Sequence, residues 1–468
     1  MFGGIQMVDY EAAGYQNLAS DQAQELLKAL SAGSAISVAN QVGVPGDGSA
    51  LRMESLERTL RTTAFKMRDL RFYKMLTGIP AFNTVEQFNL IREYGQGGVS
   101  GFFSEGGLPN ETDATYERKS VEIKFMGVVR RATHPMLMVK AAHGDVVANE
   151  TINGSLDLLR KIERGLFKAD SSIVGLEFDG LDKQIADGAP AANIIDLRGG
   201  PLNEDVLTDA ALTVSDAPNF GIPTDIQASP TRISDLFKQF YPRQRMDLPN
   251  PENGLIGLSA TGIMTQAGPV RFQPNPFVDD GGAPGTAAGD ANRRPLTPTV
   301  AVALVAAGAG SQFVAADNGT YNYAAVALNE HGRSDPVDVG SVALVAGNSV
   351  TFTLQAAGGR VVRGYEIYRT ENGGAQGTER LIQRVAATAG GFTTVITDAN
   401  AKLPGTTDAY MIQGDTENLS LKNLAPMMRI PLALIDLSLR WAQVSYFALA
   451  CYTPQKNTII RNIGRSPT

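Results

Sequence analysis

The side chains best able to do chemistry are few and scattered. The chain has three histidines, His134, His143 and His331, and a single cysteine, Cys451. A structural zinc site draws four Cys or His ligands at short spacings, and these four residues share no such spacing. The run from Gly95 to Gly101 is glycine-rich. Its last glycine is displaced, though, and no acidic residue follows a strand at the required distance, so it is not a dinucleotide fingerprint. No phosphate loop with Gly-Lys-Ser/Thr occurs. Ser104, in Phe102-Phe-Ser-Glu-Gly106, lacks the nucleophile-elbow pattern. Asp279 and Asp280 could attract a cation, but their Gly/Ala/Pro surroundings make a solvated linker the plainer reading. Cys451, between Ala450 and Tyr452, is expected to be a small buried hydrophobe, and one cysteine makes no intrachain disulfide. His134, before Pro135, is expected to be a structural strand residue. No catalytic residue, metal ligand or cofactor-binding residue is assigned, and no enzyme is expected.

The bulk numbers narrow the field further. The 468 residues suffice for two or three domains with sizeable cores. The formal net charge of -7 argues against a dedicated DNA binder, because grip on phosphates works through basic side chains that release counterions. The N-terminal stretch lacks the basic-then-apolar order of a signal peptide. No run reaches the roughly 18 apolar residues that span a bilayer, so no membrane partner is expected and production in a cytoplasm is.

The elements that would position a function are clearer. Tyr94 to Phe167 is the most informative stretch. Glycines 95, 97, 98 and 101 lead to a polar tip, Glu111-Thr-Asp113. Val121, Ile123 and Phe125 then alternate with Glu122 and Lys124 in a returning strand. An amphipathic helix follows over about 147–168, with Ile152, Leu156, Leu159, Ile162 and Leu166 as its apolar stripe and Asp157 and Lys161 as an i,i+4 pair. A two-stranded ribbon is marginal alone in water, so it is expected to lie on something, and a second copy of the chain is the natural candidate. The basic stretch 51–74 places Met53, Leu56, Leu60, Met67 and Leu70 at helical spacing. Its exposed side is either a solvated face or one that meets an acidic partner or, through Arg58, Arg61 and Arg68, nucleic acid.

Farther along, 175–278 alternates short strands and helices. Asn203 is expected to cap one helix, with Glu204 and Asp205 in its first turn. Thr224 to Ala228 reads as a strand, and Ser229-Pro230 opens a second helix. Residues 295–409 carry many β-type runs, with turn pairs at Asn318-Gly319, His331-Gly332 and Asn372-Gly373, and suggest a β-sandwich. The dense apolar stretches Met427–Leu439 and Trp441–Tyr452 are expected to complete a core begun before that segment, which makes the segment an insertion.

This order of parts resembles the major capsid protein of tailed bacteriophages, the Hong Kong 97-type fold. The local texture is similar in Val128 to Lys140, Ile194 to Leu212, Thr224 to Tyr241, Val270 to Phe277 and Met427 to Tyr452. The resemblance implies an α+β fold divided into an N-terminal arm (1–50), the helical start of a peripheral domain (51–93), an extended loop (94–133), a peripheral domain with its spine helix (134–174), an axial domain (175–278), a linker (279–294), an insertion (295–409) and a return (410–468). The insertion resembles an immunoglobulin or fibronectin type III module in Tyr321 to Pro336 and Val362 to Arg369, with those two pieces in reversed order. Some family members link a loop lysine to a neighbour's asparagine. Lys119 and Lys124 lie in this loop, but no asparagine near the C-terminus sits in a matching motif, so that chemistry is not carried over.

The resemblance implies a virion protein that self-assembles in the host cytoplasm, through hexamers and pentamers, into an icosahedral head around double-stranded DNA. Implied partners are other copies of the chain, a scaffolding protein, a portal, a decoration or cement protein, and the packaged DNA without sequence preference. Glu111, Asp113, Lys119, Lys124, Arg130 and Arg131 are candidates for contacts between subunits. The alternatives are the shell of a bacterial encapsulin-like nanocompartment and, from a different class, an adhesin or carbohydrate-binding protein working through the β-sandwich.

Overall fold

A computed structural model describes residues 64–95, 99–139, 144–240, 261–278, 282–306, 308, 310–388, 393–434 and 436–465. The chain up to Pro274 contributes helices α1 (Phe72–Met75), α2 (His134–Met138), α3 (Val146–Lys168), α4 (Leu181–Gly188), α5 (Glu204–Ser215) and α6 (Pro230–Phe240). Its strands are β1 (Thr77–Pro80), β2 (Val85–Glu93), β3 (Thr115–Glu122), β4 (Lys124–Thr133), β5 (Ile194–Asp196), β6 (Asp225–Ala228), β7 (Gly262–Thr265) and β8 (Gly268–Pro274). The insertion supplies β9 (Ala288–Gly289), β10 (Thr299–Val305), β11 (Gly319–Asn329), β12 (Gly332–Arg333), β13 (Val337–Leu344), β14 (Ser349–Gln355), β15 (Gly364–Arg369), β16 (Arg380–Ala386) and β17 (Thr393–Asp398). The return adds β18 (Thr407–Ile412), β19 (Leu419–Pro431), β20 (Ser438–Cys451) and β21 (Thr458–Ile463).

Helix α3 packs on a four-stranded sheet ordered β1-β19-β20-β4. Asp145 caps it, its side chain accepting from the Val147 N–H. Leu158, Leu159, Ile162, Leu166 and Phe167 bury against Leu421, Phe447 and Leu449 of the sheet. Each such side chain contributes about 1.5–3 kcal/mol of burial. Phe167 also stacks between Phe72, at 4.7 Å, and Tyr410, at 5.3 Å. The expected stripe is therefore displaced in the helix's first half, where Ile152 is exposed and Leu156 half-buried. Polar contacts occupy that place. Gln443 of β20 donates to the Thr151 carbonyl (2.7 Å) and to the Ser155 hydroxyl (3.1 Å). A Cβ on Gly154 would stand 2.1 Å from the Gln443 side-chain oxygen, so a larger residue there would displace that amide from its bonds to the helix.

A second core lies in the six-stranded sheet β5-β21-β18-β6-β8-β7. Leu207, Ala210 and Ala211 of α5 and Ile233, Leu236 and Phe240 of α6 pack with Ile226, Val270, Met411 and Ile460. β18 and β21 come from the return and β6 and β8 from before the insertion, so one sheet is completed across the inserted residues. Asn203 precedes α5 as expected, yet its side chain makes no capping bond. The insertion is two sheets around one core. β10-β14-β17 supplies Val350, Phe352, Leu354 and Ile396, and the sheet built on β11, β13, β15 and β16 supplies Tyr323, Ala325, Leu344, Tyr365 and Ile367.

Four other expectations are corrected. The strand through Val121, Ile123 and Phe125 is not continuous. Odd-numbered residues of β3 face inward up to Ile123, and even-numbered ones do so from Lys124 onward. Buried Ile123, whose N–H donates to the Thr84 carbonyl at 2.8 Å, takes up the one-residue slip, and such a slip flips every later side chain to the other face. His134 is not in a strand: Pro135, at a position where a helix tolerates proline, opens the short helix α2. The apolar stretch 427–439 is not uniformly core, because it turns the β19–β20 hairpin and leaves Leu434 and Leu437 exposed. Within 51–74, only 64–74 is described. There a single turn at Met67–Asp69 and the short α1 stand where one helix is expected, with Leu70 extended between them.

Candidate assembly surface

β2 and β3 form a two-stranded antiparallel ribbon, paired from Val85↔Glu122 to Glu93↔Thr115 with a register shift between Ile91 and Glu93. The outgoing arm, β2, starts before the glycine run. Its nine residues span about 30 Å. Glu86, Phe88 and Leu90 alternate toward partial cover and Val85, Gln87, Asn89 and Ile91 toward solvent. Near the base, the Phe88 ring meets Tyr452 edge-on at 4.7 Å. Across the strands, Arg92 pairs with Glu117, and Arg118 donates to Asn89 at 3.0 Å.

The described part of the tip between β2 and β3 has no regular structure, apart from a turn at Gly106, where φ is +81°. It displays Tyr94, Phe102, Phe103 and Leu108 to solvent, Phe102 at 94% and Leu108 at 92% exposure. Clustered large apolar side chains left open by their own chain mark an interaction surface. The expected contact residues of the tip, Glu111 and Asp113, are exposed on the same loop, whereas these apolar residues and the β2 arm are not among those expected from the sequence. The only local signal for the arm is Phe88 and Leu90, two apart on one face of 85–91, because Glu86 on that face and Gln87 and Asn89 on the other break the alternation.

The other candidates have varied settings. Lys119 is half-buried on β3 and lines a cleft of about 450 Å³ between the ribbon base and α4. Lys124 donates to Glu122 (2.8 Å) and to the Gly175 carbonyl (3.0 Å). Arg130 reaches Glu150 and Asp157 of α3, each at 3.6 Å. Both are thus engaged within their own chain. Arg131 is exposed on β4. Arg68 is exposed, 3.5 Å from Asp69, whereas Arg58, Arg61, the arm 1–50, His143 and Asp279-Asp280 lie outside the described residues.

Groups with shifted protonation serve packing. Burial pushes the Cys451 thiol up to about 12, which keeps it from acting as a thiolate. Beneath the insertion, Lys168 lies 2.7 Å from Asp408 and 3.6 Å from Asp182, Lys402 also pairs with Asp408, and Arg461 lies 3.4 Å from Asp182. Burial pushes the Asp408 carboxyl up, but the two lysines outweigh it and hold the group well below the usual carboxylate range. Among the described residues, no group of three or more His, Cys, Asp or Glu could hold a metal ion, and no helix is long and apolar enough to cross a membrane.

Comparison with known proteins bears on what this surface is for. No protein-family model matches the chain. It is 27% identical over 469 residues to a putative major capsid protein of Enterococcus phage phiEF24C, covering 94% of this chain and 95% of that one. It is 26% identical over 478 residues to the major capsid protein of Staphylococcus phage S25-3, covering 97% and 98%, and equally to that of Staphylococcus phage K. The chain is a homologue of phage major capsid proteins. Among solved structures, the capsid of a native GTA particle aligns with a TM-score of 0.47 at 7% identity, over 92% of this chain and 100% of that one. Mycobacterium phage Adephagia aligns at 0.43 and 9%, over 93% and 100%. The SrpI encapsulin of Synechococcus elongatus aligns at 0.38 and 10%, over 93% and 98%. The fold is of mixed α+β class, with a ribbon, a long helix on a four-stranded sheet and a separate α/β layer.

Proposed function

We propose that this chain is the structural subunit of a phage head, assembling through hexamers and pentamers into a closed shell around double-stranded DNA. The observation that carries the reading is the ribbon, a two-stranded arm of about 30 Å whose tip displays large apolar side chains that its own chain leaves open. Full-length similarity to phage capsid proteins supports it. The ribbon lies across an adjacent copy, and cohesion comes from buried area summed over many contacts. The proposed role is structural and not enzymatic. Scaffolding, portal and decoration proteins are proposed partners in the host cytoplasm, and the virion is the proposed destination. Electron microscopy of the purified protein tests this. Round particles or hexamers are expected, and monodisperse monomers would overturn it. Particles that package a cargo protein instead of DNA would point to a nanocompartment.

A further inference from the structure

The insertion and the body keep their apolar interiors apart. Tyr321, Tyr323, Phe352, Tyr365 and Ile396 pack with one another, and Val326, Leu328 and Tyr368 form a smaller group on the opposite face of β11. Among the described residues, neither group takes a member from outside 300–396, and neither core of the body takes one from 279–408. Strand pairing divides the same way. β9 to β17 pair only among themselves, and β18 and β21 close the body's six-stranded sheet without them.

The contacts across the junction are mostly polar. Arg384 of β16 lies 3.4 Å from Glu177 and donates to the Lys168 carbonyl at 3.3 Å. Arg198 donates to the Gln312 carbonyl and side chain, both at 2.8 Å. One apolar contact joins them, where Ile173 closes on Gly364 so tightly that a Cβ there would stand 2.5 Å away. Around these points the two surfaces stand apart. Clefts of about 560 Å³ and 840 Å³, both lined by Leu176, run between them, and a third of about 410 Å³ separates β16 from Lys168 and Asp408. The charged cluster beneath the insertion is bonded within the body, since Lys168, Asp182, Asp408 and Arg461 all belong to it. Parts of a chain unfold together when they share buried apolar surface. A few hydrogen bonds and ion pairs beside open clefts couple them only weakly.

We propose that the insertion is a cooperative unit of its own, which opens and unfolds while the body, with its ribbon and long helix, stays folded. Arg198 and Arg384 are its clamps. The unit is defined by its separate core, whatever the chain assembles into, so it stands or falls independently of the shell reading.

The test is Phe352→Ala in the full chain, with hydrogen exchange of the dissociated subunit read by mass spectrometry. Phe352 is fully buried in the insertion's core. Exchange in 319–329 and 349–355 is expected to speed up about a hundredfold or more, as for loss of a core phenylalanine. Exchange in 158–167, on the long helix, is expected to stay within about threefold of wild type. Loss of protection in both regions together would overturn the proposal. Wild type supplies a second measurement that needs no variant. In rising urea below the main transition, the amides of the insertion and those of the body are expected to follow two separate opening curves, and one shared curve would overturn the proposal as well.

Discussion

The carboxylate of Glu163, in the last third of the long helix, stands 2.7 Å from the backbone nitrogen of Phe72, ninety-one positions earlier. It also accepts from the N–H groups of Arg71 (3.0 Å) and Tyr73 (2.9 Å) and from the Asn275 side chain (2.7 Å). A fully buried acid thus ties the start of the short α1, the long helix and the end of β8 into one knot.

Glu163→Ala is expected to lower subunit stability by about 3 kcal/mol, because several buried donors lose their acceptor together. Glu163→Gln keeps the shape but turns an amide donor toward N–H groups, and is expected to recover only part of the loss. Urea unfolding of the dissociated subunit measures both. A change below about 0.5 kcal/mol, as at an ordinary surface site, would show that the knot is not structural.

The buried cluster under the insertion predicts an acid limb. The Asp408 carboxyl is held well below its ordinary value, so its stabilisation is complete above the unfolded carboxylate pKa of about 3.9 and is lost as pH falls below it. The Lys168 ammonium is lowered by burial but raised further by Asp182 and Asp408, ending well above the ordinary lysine value. Its contribution therefore holds below about pH 10.4 and is lost only above that. Lys402, Arg461 and the Tyr410 hydroxyl complete the surroundings. Asp408→Asn is expected to cost about 3–5 kcal/mol at neutral pH, since two lysines lose a buried partner. It is also expected to flatten the fall in stability between pH 5 and 2. Urea midpoints across that range for both proteins check this, and parallel curves would count against it.

How much of this was legible in the sequence depends on how local the signal is. The long helix shows itself because 3.6-residue periodicity and the Asp157–Lys161 pair lie within one segment. The strand-rich character of 295–409 shows itself because β-type runs and turn pairs recur along it, and the strands there form two sheets around one core. Ile152 and Leu156 mislead because their phase is right, but the first half of that helix meets β20 through Gly154 and Gln443, a contact made 289 positions apart that no local period reveals. The ribbon's outgoing arm hides for a related reason: a strand with no core beneath it carries polar residues on both faces. Glu163 was invisible altogether, since a carboxylate on a helix looks solvated until the N–H groups it meets are placed.

Arg198 joins the body to the insertion through Gln312 and Asn400 from a left-handed backbone. Arg198→Gly removes the bonds and the strain together. It is expected to leave the main unfolding transition nearly unchanged while raising amide exchange around Gln312 and Asn400. Arg198→Ala keeps the strain and is expected to be the less stable of the two, since alanine gains nothing at positive φ. Hydrogen exchange read by mass spectrometry separates them. Unaltered exchange at 310–315 in both variants would mean that other contacts hold the insertion in place.

The ribbon tip gives the most direct test of how copies meet. Phe102 and Leu108 are almost wholly exposed, so replacing both with serine removes no packing inside the subunit. The double variant is expected to unfold within about 0.5 kcal/mol of wild type. Assembly is expected to suffer, because burying two such side chains against a neighbour contributes about 3–6 kcal/mol per contact, repeated at every copy. Soluble, normally folded subunits that no longer sediment as particles are therefore the expected result. Glu111→Ser with Asp113→Ser on the same loop is the matched control, since exposed charges contribute about 1 kcal/mol or less and assembly is expected to become less salt-sensitive without being lost. If the charge pair abolishes particles and the apolar pair does not, the tip grips its neighbour by charge, and the apolar side chains need another explanation.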